Sequence, residues 1–138
     1  MYDEILLPTD GSEASKAALN HAKQISEKFD SNIHIIYVVD ISTMPGDLRG
    51  QAHLEQMKEF GEETVKSLEK EMNTTAETKV TVGLPHREIR EYVEEKDIDL
   101  VTMGSNGRSG LDRILIGSVT EKVLRTCDTP VLVSRETK

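Results

Sequence analysis

DIDLVTMGSNGRSGLDRILIGSVTEKVL, residues 97–124, reads as a strand, a glycine-rich connection and a helix. The apolar run 97–103 suits a fourth strand of the chain, and the glycines that follow allow positive φ and close approach of backbone to a ligand. A helix begins after Gly117, with Val119, Val123 and Leu124 along its buried side. The first turn of such a helix leaves N–H groups unpaired, with the positive end of the helix dipole behind them, so the layout suits an anion such as phosphate. By residues alone, a plain flexible link between strand and helix is an equal reading of the same loop.

Working outward, short β-like runs alternate with amphipathic helical stretches. Ile5 to Leu7 closed by Pro8 make a first strand, and Thr9, Asp10, Gly11 and Ser12 are turn and N-cap types that start a helix near Ser12. Ala18, Ala22, Ile25 and Phe29 give that helix an inner face, and Asp30 to Asn32 break it. Ile33 to Val39 is a nearly continuous apolar run, as in a central strand covered on both faces, and it ends at Asp40. Residues 41–50 (ISTMPGDLRG) read as a mobile loop, a place for a lid or partner contact. Leu54, Met57, Thr64, Val65, Leu68 and Met72 mark a second helix, interrupted by Gly61. Ala76 to Gly83 alternates as an edge or half-polar strand, and after Pro85 a short helix turns Ile89, Tyr92 and Val93 inward. Thr126 to Thr129 end the fourth helix, and PVLVS (130–134) makes a fifth strand. Five strands separated by helices imply right-handed crossovers, a largely parallel sheet and an α/β fold. In such sheets ligands sit beyond the carboxyl ends of the strands, so Pro8, Thr9 and Asp10, Val38 to Asp40, and Met103 to Gly107 converge on one crevice.

A chain of 138 residues forms one domain over 1–138 and buries enough surface for its own core. Seventeen basic against twenty-five acidic side chains leave a net charge of −8, which argues against general attraction to nucleic acid or an anionic membrane. The apolar runs are too short to span a bilayer, the single Cys127 forms no internal disulfide, and no apolar leader follows Met1; the expected compartment is the cytoplasm.

PTDGS (8–12), GLPHREI (83–89), MGSNGRSG (103–110) with Gly117-Ser118, and PVLVSR (130–135) together resemble the universal stress protein family across essentially the whole chain. The signature of its ATP-binding branch is a glycine, two residues, a glycine, nine residues, then glycine with Ser or Thr, and Gly104, Gly107, Gly117 and Ser118 match it without a gap. The resemblance implies a Rossmann-like, adenine nucleotide alpha hydrolase-like open sheet of five parallel strands in the order 3-2-1-4-5, with helices on both faces. It implies ATP, with Mg²⁺ or Mn²⁺ held by the phosphates, and a homodimer through the C-terminal strand. By the same resemblance Asp10 and Val38 hold the adenosine end, Met103 and Gly104 line the ribose and α-phosphate, and Gly107, Gly117, Ser118 and Val119 contact phosphates; Pro8 and Thr9 join the binding candidates by their place after the first strand.

Physical reasoning carries the glycines and Ser118 furthest. Arg108 could meet a phosphate bidentately, but Asp112 shares its loop and a loop arginine is commonly solvated. Asp10 could orient a ribose hydroxyl or a metal-bound water, or act only as a helix-start residue. The loop lacks the Gly-Lys-Ser/Thr of a P-loop, and its glycines, spaced by two residues late in the chain, do not make a dinucleotide fingerprint. No catalytic or metal-ligating set emerges: His21, His34, His53 and His86 have no paired spacing, no GxSxG elbow occurs, and Cys127 beside Asp128 suits a buried, inert thiol. The expected function is therefore a nucleotide-dependent stress or signalling module acting on an unidentified protein partner. The alternatives are a slow ATPase or phosphoryl- or adenylyl-transferring enzyme with Asp10 on Mg²⁺ and Arg108 on developing charge, and a structural dimer with no nucleotide.

Overall fold

The computed structural model describes residues 1–43, 46, 50–105 and 116–135. The elements are β1 (Glu4–Thr9), α1 (Glu13–Phe29), β2 (Asn32–Asp40), a 3-10 turn (Ile41–Thr43), α2 (Gln51–Met72), β3 (Ala76–Gly83), α3 (Pro85–Glu95), β4 (Leu100–Gly104), α4 (Ser118–Thr126) and β5 (Val131–Ser134). The strands form one all-parallel sheet in the order β3-β2-β1-β4-β5, the α/β order anticipated above.

Alternation along the strands sorts the core into two layers. Ile5, Leu7, Ile33, Ile35 and Tyr37 meet α1 and α2, whereas Leu6, Ile36, Val101 and Met103 meet α3 and α4. β1 is central, and Ile5, Leu6 and Leu7 are each fully buried. At roughly 1.5–3 kcal/mol per buried aliphatic side chain, this strand anchors both layers. Ser12 is the N-cap of α1, its hydroxyl accepting from the Ser15 N–H, and Asp30 ends the helix in the left-handed conformation.

Gly61 does not interrupt α2. A Cβ there would lie 2.7 Å from the Tyr37 ring and 2.9 Å from Val80, so the missing side chain is what lets the helix rest on β2 and β3. Several other expectations need correction. β1 does not close before Pro8 but runs on to Thr9. β4 starts at Leu100 rather than Asp97, because Asp97 (φ 52°) turns the chain out of α3 and the Ile98 N–H still donates to the Val93 carbonyl. β5 starts at Val131, one residue after Pro130. Phe29 is exposed in the last turn of α1, with its ring edge-on to Tyr2. Leu124 is also exposed, since the short α4 turns Thr120 and Val123 inward, three residues apart. Cys127 is only half-buried.

Candidate functional site: a crevice between the central strands

β1 pairs with β2 along its whole length but with β4 only at Ile5↔Leu100 and Leu6↔Val101. The reason lies in the sequence of β1. The Asp3 carbonyl accepts from Asn32 on the β2 side and the Glu4 carbonyl from Asp99 on the β4 side, so Glu4, Leu6 and Pro8 direct their backbone groups at β4. The next donor on that edge would be the N–H of Pro8, which proline lacks. The ladder therefore ends at Leu6, while β4 continues to Gly104 and β1 to Thr9. The gap opens where the order of connections reverses, the place at which such sheets bind ligands.

On the β1 side, Pro8 shares the α3 and α4 face with Leu6 by alternation, and Val38, one step beyond the Thr9↔Tyr37 pair, packs against that same layer. Thr9 faces the other way: its Oγ1 accepts from the Gly11 N–H, and it lines a separate cleft with Ser12, Lys16 and Phe60 between α1 and α2. The side chain of Thr9 is thus turned away from the crevice. Gly11 has φ +84°, a turn that suits glycine between strand and helix. One carboxylate oxygen of Asp10 accepts from the Ser12 N–H at 2.9 Å and the Ser15 hydroxyl at 3.1 Å, so the residue is built into the start of α1.

On the β4 side, the Met103 side chain is buried in the α3 and α4 layer, and its carbonyl faces β5, accepting from the Ser134 hydroxyl at 3.4 Å. Gly104 is glycine for a packing reason: a Cβ would lie 2.6 Å from the Ala14 carbonyl group and Cβ, so α1 enters against the end of β4 with no room for a side chain. Ser105 donates its N–H to the Ser134 carbonyl of β5 and accepts with its own carbonyl from the Gly117 N–H. This brings Gly117, Ser118 and Val119 to the end of β4. Gly117 is the N-cap of α4 and supplies no side-chain cap, so among the described residues the helix dipole faces the end of β4 without a capping side chain. Gly107 and Arg108, and residues 44, 45 and 47–49 of the 41–50 stretch, lie outside the described residues.

The chemistry of the site is that of backbone donors. Among the described residues, no group of three or more His, Cys, Asp or Glu side chains is gathered to hold a metal. Burial pushes the Cys127 thiol above its ordinary range, which keeps it protonated. Sequence reasoning missed Ala14, Ser105 and Thr120, which shape the site through packing and backbone contacts; a small residue opposite a strand-end glycine and a threonine three residues into α4 were the available signals.

The chain matches the Universal stress protein family over residues 1–135. It is 40% identical to universal stress protein MJ0531 of Methanocaldococcus jannaschii, over all of this chain and 85% of that protein. Its fold superposes on MJ0577 of the same organism with a TM-score of 0.89 and 31% identity, over 100% of this chain and 99% of the other. A solved universal stress protein in complex with cAMP is 26% identical, with a TM-score of 0.67 over 99% and 98% of the two chains.

Proposed function

From the premise that the chain belongs to the universal stress protein family, we propose that it is an ATP-binding, nucleotide-dependent stress or signalling module. The observation that carries this reading is the N-terminus of α4, without a side-chain cap among the described residues and held by the Ser105 carbonyl at the mouth of a crevice that Pro8 keeps open. The N–H groups of Ser118 and Val119, free of intrahelical partners by their position in the first turn, are suited to phosphate oxygens. Pro8 and Val38 are suited to an apolar base, with Thr9, Asp10, Met103 and Gly104 around the sugar. Gly107 and Arg108 complete the phosphate end by the spacing of the sequence, and Mg²⁺ or Mn²⁺ would ride on the phosphates. The related structure with cAMP supports an adenine nucleotide as the ligand class.

The same reading takes residues 1–138 as one domain in the cytoplasm and pairs two copies through β5, an edge strand whose Val131, Leu132 and Val133 are only half-buried. Among the described residues no helix is long and apolar enough to cross a membrane.

The test is to purify the protein gently, denature it, and identify and quantify the released small molecule per chain, titrating ATP and Mg²⁺ if none emerges. Near-stoichiometric ATP, lost in a Gly107→Ala/Ser118→Ala variant of unchanged circular dichroism, is the expected result. Recovered ADP or AMP would shift the reading to an enzyme, and an absence of both bound and titratable nucleotide would overturn it.

A further inference from the structure

Thr120 is buried in the first turn of α4, and its hydroxyl donates to the Gly104 carbonyl at 2.9 Å. The orientation of β4 gives this bond its meaning. Val101 and Ser105 direct their N–H groups to β5, donating to the carbonyls of Pro130 and Ser134, so by alternation Gly104 faces β1. That is the edge where β1 has ceased to pair. The carbonyl of Gly104 thus stands at the floor of the crevice, an acceptor turned toward the region where an anion would lie, and Thr120 takes it. A second bond, Gly117 N–H to Ser105 carbonyl, joins the same two elements one residue further on.

From this arrangement we infer that Thr120 is a positioning residue for phosphate. Its hydroxyl locks the first turn of α4 onto the end of β4, which aims the N–H groups of Ser118 and Val119, and it covers a carbonyl dipole that would repel a phosphate. The inference rests on the nucleotide reading above. It assigns to Thr120 the phosphate end, since Pro8 and Val38 belong to β1 and β2 and Thr120 bonds to neither.

The experiment titrates ATP, and adenosine by competition, against the wild-type protein, Thr120→Val and Thr120→Ser, with the thermal midpoint of each ligand-free protein recorded. Thr120→Val is expected to weaken ATP roughly fivefold to tenfold, the worth of one hydrogen bond, while adenosine binding changes less than twofold and Thr120→Ser keeps wild-type affinity. Equal loss for ATP and adenosine, or a fallen midpoint with ATP affinity preserved, would mean a merely structural hydroxyl and overturn the inference. A wild-type protein that binds neither ligand would remove the nucleotide reading itself, whereas ATP binding that is indifferent to Thr120→Val removes only the role of Thr120.

Discussion

At the amino ends of the strands polar side chains close on one another across the sheet, and at the carboxyl ends β1 and β4 part. In the first region buried His34 of β2 hydrogen-bonds through both ring nitrogens, to Glu4 of β1 and Tyr92 of α3, each at 2.7 Å. The Tyr92 hydroxyl also donates to Glu77 of β3, and Lys96 pairs with Glu77 at 2.9 Å. The Asp99 carboxylate accepts from the N–H groups of Asp3 and Glu4, clamping the start of β1 to the start of β4. In the second region Pro8 denies β1 a rung, Gly104 admits α1, and α4 begins without a side-chain cap. The contrast teaches that side-chain bonds between strands clamp the sheet at one end, while at the other the polar bonds tie the starts of α1 and α4 to the ends of β1 and β4.

The hardest blow to this contrast is Gly104→Ala. The added methyl meets backbone atoms of Ala14, which cannot rotate aside. A loss of about 3 kcal/mol in urea unfolding, the upper end of overpacking costs, together with loss of retained nucleotide, is expected. Gly50→Ala, which meets nothing within 4 Å among the described residues, should keep nucleotide retention and cost at most about 1 kcal/mol, the loss of a glycine N-cap of α2.

At the closed end, His34→Phe removes the shared partner of Glu4 and Tyr92 and should cost about 1–2 kcal/mol at neutral pH while sparing ATP affinity. Its pH signature is sharper. Burial raises the pKa of Glu4, but hydrogen bonds from His34 and Asn32 outweigh it and hold the carboxyl below its ordinary value of 4.5; the Lys96 hydrogen bond does the same for Glu77. A carboxyl whose folded pKa is depressed contributes stability that is present above the unfolded value and lost as pH falls through the folded one. Wild type should therefore lose stability as pH drops below about 4.5, and His34→Phe should show a shallower acid limb. Identical slopes in urea melts across that range would show that the network does not couple to folding.

The smallest effect has the opposite sign. Thr102 of β4 is fully buried, and its hydroxyl has no hydrogen-bond partner among the described residues. It lies on the same face as Leu100, in the layer that meets α1. Thr102→Val keeps the shape and removes an unsatisfied group, so stability should rise by about 1 kcal/mol, read as a higher urea midpoint at constant m value. A fall instead would reveal a partner for that hydroxyl.

The sequence by itself determined what depends on local chemistry. Apolar runs and their flanking turn residues marked the five strands and four α-helices of the described residues, Ser12 announced the cap of α1, and the spacing of Gly104, Gly107, Gly117 and Ser118 pointed to the family. The tertiary structure decided what depends on contacts between residues distant in the chain. That Gly61 seats a helix on Tyr37 and Val80, that Gly104 makes room for Ala14, that Thr9 and Pro8 face opposite layers, and that Thr120 reaches back to Gly104 are facts of packing and strand register. A glycine needed for close approach looks in sequence like one needed for a turn, and a hydroxyl reveals its acceptor only once the sheet has brought the acceptor within reach.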